Sequence, residues 1–440
     1  MRRTLVLAAL CVATGGLGAR VLRAQDAPVD TSTTSFQVGH VRVILRHNGA
    51  NDVVAANIYL LGGTQELTAR TAGVEALMLG ASEGGTRRYP RAELRAITAR
   101  MGATIVVDPS LDWTAFGLRT LRQRFDSSWA VFADRLVEPL LDSADVDRTR
   151  RQMIAAARQS EADPDIAVAQ LADSLLYAGH PYRIDPGGTP SSLGGLTAAD
   201  VRRYHDQEVV QTRLLVVVVG NINRSELKRA IGGTLAKLPV GRYTWTPPPD
   251  FSPAPERALL MGRPLATNYI LGYYAGPRAG TRDYAALRIA AAVLSGRMFA
   301  EVRSREHLAY AVEAPFLDHA IAVGGLYVTT TNPNAALVAM AREIDRLKST
   351  LVDPTGLKAL VGQFLTDYFL KNETNADQAA FLARAELYTG DYRTAGAFVS
   401  TLRAVTPEDI QRVATTYVHD VRFGFVGDTT KAPAILRAGF

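Results

Sequence analysis

A run of prolines near the middle of the chain divides it into two parts that follow one pattern. Between Pro239 and Pro255 lie Thr246-Pro-Pro-Pro-Asp250 and Ser252-Pro-Ala-Pro255. Consecutive prolines remove backbone donors and hold a chain extended, so this stretch reads as a linker over 239–257. The same signals recur on either side of it. Each part begins with a strand, Asn57-Ile-Tyr-Leu60 or Asn268-Tyr-Ile-Leu271, followed by a glycine turn and an Ala/Leu-rich helix. Each ends with a capped helix, opened by Leu196-Thr-Ala-Ala-Asp-Val201 or Val405-Thr-Pro-Glu-Asp-Ile410. Thr197 and Thr406 are the expected N-caps, each with an acid three residues on. Both helices lead into a β-branched strand that closes on a glycine turn, over 214–221 and 421–428.

Within the first part, apolar alternation predicts strands over 41–45 and 57–61 and paired strands over 104–108 and 114–118. Helical spacing predicts helices over 91–101, 128–141 and 146–161. The expected fold is α+β. Two homologous α/β domains, 37–238 and 258–430, each carry a mostly antiparallel sheet with helices covering one face, joined by the Pro-rich linker.

A hydrophobic fraction of 47% suits a folded protein rather than a disordered one. Arg2 and Arg3, the apolar run from Thr4 to Leu17 and the Leu22-Arg-Ala24 site read as a signal peptide over 1–24. The expected location is therefore periplasmic or secreted. Lipidation at Cys11 is disfavoured by Leu10 before it. Removing residues 1–24 takes away four arginines and no acid, which lowers the formal charge from +6 to +2. The basic balance then gives little support to a nucleic-acid partner. Cys11 is the only cysteine, so the mature chain has no disulfide, thiol catalysis or Cys-zinc site. No phosphate-binding loop, Gly-x-Ser-x-Gly elbow or dinucleotide fingerprint is present.

The segment Gly73-Val-Glu-Ala-Leu-Met-Leu-Gly-Ala-Ser-Glu-Gly-Gly-Thr86 has the frame of an inverted zinc-peptidase helix, H-x-x-E-H. Its three chemical positions hold Ala76, Leu79 and Gly80, and none can bind zinc or take a proton. With this frame, Gly62-Gly-Thr-Gln-Glu66, His180-Pro-Tyr182, Gly188-Thr-Pro190 and the closing strand at 216–221 make the chain resemble the pitrilysin/insulinase family over about 37–430. The likeness is strongest to its mitochondrial-processing-peptidase-like branch. The resemblance places the third zinc ligand on the helix that ends Glu-Ala-Asp-Pro164, where Ala155 and Ala156 stand. All three ligands and the general base are thus replaced, so no catalytic or metal residue is assigned. Glu75 and Glu83 read as solvated helix charges, and Gly84-Gly85 as a helix stop. The histidines are scattered without an i, i+4 pair. His40 and His47 read as surface residues, and His205, His319 and His419 lack an acidic partner at ligand spacing.

The second half differs. Ser295-Gly-Arg-Met-Phe-Ala-Glu-Val-Arg-Ser-Arg-Glu-His-Leu-Ala-Tyr310 resembles the family's C-terminal-domain segment. In active relatives that segment supplies an Arg and a Tyr that hold substrate, which map onto Arg303 and Tyr310. An Arg fork and a phenol can donate to a peptide carbonyl or an oxyanion. Arg303 is expected near the end of a helix over 297–305 and Tyr310 in a strand over 309–316. The resemblance implies a non-catalytic subunit of a heteromeric extracytoplasmic zinc peptidase. Zinc would then sit in a homologous partner subunit, with extended peptide as substrate. A peptide-binding or scaffold homodimer, and a structural subunit of an envelope assembly, stay open.

Overall fold

The computed structural model describes residues 32–438. The signal-peptide reading and Cys11 lie outside the described residues. Twelve strands are described: β1 Thr33–Val38, β2 Val41–His47, β3 Val53–Leu61, β4 Thr104–Pro109, β5 Trp113–Leu121, β6 Leu214–Gly220, β7 Ala258–Gly262, β8 Asn268–Arg278, β9 Ala311–Glu313, β10 Phe316–Leu317, β11 Ile321–Thr330 and β12 Arg422–Gly427. They build two sheets, one per half. The first runs β1-β2-β6-β3-β5-β4, and the second β10-β11-β8-β12-β7 with β9 also on β11.

The repeat is explicit in the pairings. β2 lies parallel to β6, as β7 lies parallel to β12. β6 pairs antiparallel with β3, as β12 does with β8, and β3–β5 matches β8–β11. The two expected caps are also matched. Thr197 and Thr406 each form a full capping box, with Asp200 and Asp409 returning the bond.

The central strands of both sheets are covered on both faces, unlike the one-sided cover expected from sequence. β6 shows why. Its Leu214, Val216 and Val218 enter the core under the first half's own helices. Its Leu215, Val217 and Val219 point the other way, as alternation along a strand requires, and meet Ala379, Leu382, Ala383 and Leu387. These belong to the helix Asn375–Thr389 of the second half. The exchange is reciprocal. The helix Pro164–Leu176 of the first half lays Ala167, Val168, Ala172 and Leu176 on the second sheet, against Leu271, Tyr273, Val323 and Val426. Uninterrupted apolar strands such as Leu-Leu-Val-Val-Val-Val follow from burial on both faces.

Gly424 of β12 lets the exchanged helix approach. A Cβ there would collide with the backbone oxygen of Val168 and come within 2.9 Å of Leu171 Cβ. Since overpacking costs about 1–3 kcal/mol, Gly424→Ala should lower unfolding free energy by at least that much in a urea titration. On the same helix, burial raises the Asp173 carboxyl from 3.8 to about 7, only partly offset by Arg183. A raised acid favours the fold while protonated. Its contribution is therefore full below about pH 4 and lost as pH rises to about 7. Asp173→Asn should flatten this part of the stability–pH curve, and an unchanged curve would remove Asp173 as its source.

The segment 239–257 has no regular secondary structure but is firmly attached. The Pro249 carbonyl lies 2.9 Å from His180 Nε2, and Arg278 donates to the Pro248 carbonyl and to Asp250. Phe251 packs on Tyr177 and His180. Between the halves, the buried Asp112 accepts bonds from Tyr182, Tyr388 and the Ala320 amide.

Candidate functional site

The helix Val74–Ala81 starts at Gly73, which is left-handed at φ 82°. A side chain at Gly73 would strike Gly187 O and Gly188 Cα at 2.8 Å. Two segments that carry the family likeness, around Gly73 and Gly188, are thus pressed together. Ala76 and Leu79 are buried, and Leu79 belongs to the main core of the first half. Gly80 faces the helix Ser143–Ala162, with Thr149 Cγ2 3.0 Å from where its Cβ would stand. Ala156, seven residues beyond Thr149, shares that helix face; Ala155 is turned about 100° away. Both alanines are exposed.

Zinc needs nitrogen, sulfur or carboxylate oxygen ligands, and Ala76, Leu79, Gly80, Ala155 and Ala156 offer none. The side chains present do not fit the metal, and no chemical step is routed through it. Among the described residues, no group of three His, Cys, Asp or Glu side chains could hold a metal ion.

Glu75 corrects the sequence reading. It is not solvated but 3% exposed, and its Oε2 lies 2.9 Å from Arg213 Nη2 and accepts from Tyr204 Oη at 2.8 Å. Arg213 is fully buried and also donates through Nε to the Leu61 carbonyl. An ion pair therefore fills the interior beside the zinc-motif frame. Its signal was a helix apolar on nearly every side: Val74, Ala76, Leu77, Met78 and Leu79 are all buried around it, so a charge at 75 has no solvated face to occupy. Glu83 is 67% exposed, as expected. His40 and His47 are exposed. His319, by contrast, is half-buried against Tyr182, with desolvation lowering its pKa against the pull of Asp112 and Asp318.

The second half presents the other part of the site. The helix Arg282–Met298 continues into a π-helical turn, Phe299–Arg305. Such turns recur at functional positions. Val302 anchors this one in the core. Leu308 N bonds to Val302 O, Thr330 Oγ1 donates to the Leu308 carbonyl, and Tyr310 N bonds to Thr329 O. Tyr310 precedes β9 instead of lying inside a strand, and the predicted strand over 309–316 is two short ones, β9 and β10.

Held this way, Arg303 and Tyr310 come together at the surface. The Arg303 guanidinium carbon is 5.4 Å from the Tyr310 ring centroid and 5.0 Å from that of Phe299. Tyr310 is 82% exposed and Phe299 47%. Arg305 is paired with Glu301 and Glu306, whereas Arg303 has no carboxylate partner among the described residues. The result is a cation between two open aromatic faces, with its donors free. Sequence reasoning missed Phe299, though its position four residues before Arg303 was a usable signal.

The sequence profile described as Insulinase (Peptidase family M16) matches residues 42–184, and that of the Peptidase M16 inactive domain matches 195–363. The chain belongs to this family. Within M16, it is 23% identical over 347 residues to a zinc protease of Streptomyces coelicolor described as uncharacterized, covering 75% of each chain. It is 20% identical to the uncharacterized zinc protease YmxG of Bacillus subtilis, over 90% of this chain and 98% of YmxG. A further match is the mitochondrial-processing peptidase subunit beta of Blastocladiella emersonii, at 20% identity over 86% of this chain and 84% of that one. The crystal structure of a peptidase M16 inactive domain from Pseudomonas fluorescens superposes with a TM-score of 0.79 at 17% identity, over 90% of this chain and 98% of that one. That likeness shows the fold.

Proposed function

We propose that this chain is the non-catalytic subunit of a heteromeric, extracytoplasmic zinc metallopeptidase. The observation that carries the reading is the asymmetry between its halves. Every ligand position of the zinc motif holds a residue without a metal-binding atom in its side chain, while Arg303 lies open between Phe299 and Tyr310 with no carboxylate partner among the described residues. A partner with an intact H-x-x-E-H would bring the zinc and the general base. This chain would hold the extended peptide, Arg303 donating to a backbone carbonyl and Tyr310 adding its hydroxyl. One of its relatives is itself named as a subunit of a processing peptidase. The N-terminal signal pattern supports a site of action outside the cytoplasm.

Native mass spectrometry of the tagged protein from its own cell envelope tests this. The expected species contains a second chain of similar size and one zinc, with H-x-x-E-H in that chain. A zinc-free homodimer would replace the proposal with a peptide-binding or scaffold role. Within the complex, Arg303→Ala should lower kcat/KM by about 100-fold, the scale of losing one oxyanion-type donor, while the two chains still co-purify. Unchanged turnover would remove the role given to Arg303.

A further inference from the structure

The second half holds a cavity of about 600 Å³ among its helices, away from Arg303 and from the zinc-motif frame. Its walls are aromatic. Tyr368, Phe381 and Phe398 form a cluster with ring centroids 4.7–5.3 Å apart, and Phe364 adds to the wall. Its size lies within the usual range for small-molecule sites, which are mostly apolar with a few placed polar groups.

The polar groups here are concentrated. Arg288 and Arg384 each reach Asp318 through one terminal nitrogen, at 2.6 and 2.7 Å, and Tyr284 donates its hydroxyl to the same carboxylate. The two guanidiniums outweigh burial and hold the Asp318 carboxyl down at about 2. Two cations therefore share one anion. The Nε of each arginine is buried with no hydrogen-bond partner among the described residues. Arg384 nevertheless keeps 39% of its side chain accessible on the cavity side, which it lines. The other lining charges are one cation and two acids, so the wall as a whole is neutral and its positive charge is concentrated at the arginine pair. Lys371 sits one turn from Asp367 on the same helix, and Asp377 is engaged by Thr374 in a helix cap. The Arg288–Arg384 pair is left with one net positive charge beside an aromatic wall.

We infer that this cavity binds a small amphipathic carboxylate, its anionic head on Arg288 and Arg384 and its apolar body against Tyr368, Phe381 and Phe398. A head of one negative charge matches the local excess. Asp318 would repel a polyanion. The accessible part of Arg384 faces the cavity, so a ligand carboxylate can reach its terminal nitrogens. The chemistry could come from a free fatty or aryl acid or from the C-terminus of an apolar peptide. The inference does not depend on the proposed peptidase role.

Isothermal titration of the full mature chain tests it with two pairs of probes. Dodecanoate is compared with dodecanamide, and Ala-Ala-Ala-Phe with a free carboxylate is compared with its C-terminal amide. The expected result is binding of at least one carboxylate, at least tenfold tighter than its neutral form. Binding by one pair and not the other identifies the source. Equal affinity for acid and amide, or no binding by either acid, overturns the inference. Ala397 is an exposed helix position on the cavity wall. Ala397→Trp should therefore leave Tm unchanged and weaken binding at least tenfold; unaltered binding would place the ligand elsewhere.

Discussion

Expressed alone, residues 32–257 and 258–438 are each expected to lack a cooperative unfolding transition, and expressed together they should assemble into a folded pair. Each fragment loses the helix that covers the second face of its sheet. The first would expose Ile44, Leu215, Val217 and Val219, and the second Leu271, Val323 and Val426. Each fragment's own exchanged helix would also lie bare, with Leu382 and Leu387 or Val168 and Leu176 exposed. Re-exposing an aliphatic side chain costs roughly 1.5–3 kcal/mol, so five or six on one fragment amount to roughly 10 kcal/mol. A whole domain is stable by only about 5–15 kcal/mol. The buried bonds from Asp112 to Tyr388 and Ala320 would be lost as well. Circular dichroism melts of the single and co-expressed fragments decide the matter. A sharp transition in either fragment alone would mean that the exchange is dispensable.

Glu75→Ala should destabilise the intact chain by about 3–5 kcal/mol. The reason is the charge left behind. Arg213 has no exposed surface and lies between the Tyr204 and Tyr243 rings, its centre 5.8 and 5.7 Å from them. Glu208 is its other carboxylate neighbour, at 3.7 Å. Removing one partner of a buried pair is strongly destabilising, whereas replacing both by apolar residues is often neutral. The double variant Glu75→Leu with Arg213→Met should therefore be more stable than Glu75→Ala alone. Urea midpoints of the three proteins test both parts, and a Glu75→Ala midpoint equal to the parent would show that water reaches Arg213.

Much of this was readable in the residues, for specific reasons. β6 was visible as a β-branched run ending at Gly220, and Thr197 and Thr406 as caps, because these signals are local. The helix Arg91–Met101 was legible from Leu94, Ile97 and Met101 at helical spacing. The replaced zinc positions were legible because a ligand's chemistry resides in its side chain. Glu75 was misread because its partner lies 138 residues away, and no local pattern reports a pairing at that range. The covering of each sheet by the other half's helix was missed for the same reason. Alternation shows that a strand has two apolar faces, not what covers the second. Phe299 was passed over because a phenylalanine in an apolar helical run reads as core, and its spacing to Arg303 does not report that its ring is open to solvent.

The reciprocal exchange of helices has a further consequence for the number of chains in a particle. The contacts between halves are fixed by their surfaces and do not specify that both halves come from one polypeptide. What keeps them in one chain is segment 239–257, which raises the local concentration of each half around the other far above that of a second molecule. A linker too short to span the two ends would leave every contact intact but draw them from different molecules. The product would be a closed, domain-swapped dimer. The strap that looks like filler between two repeats thus sets the stoichiometry of the fold.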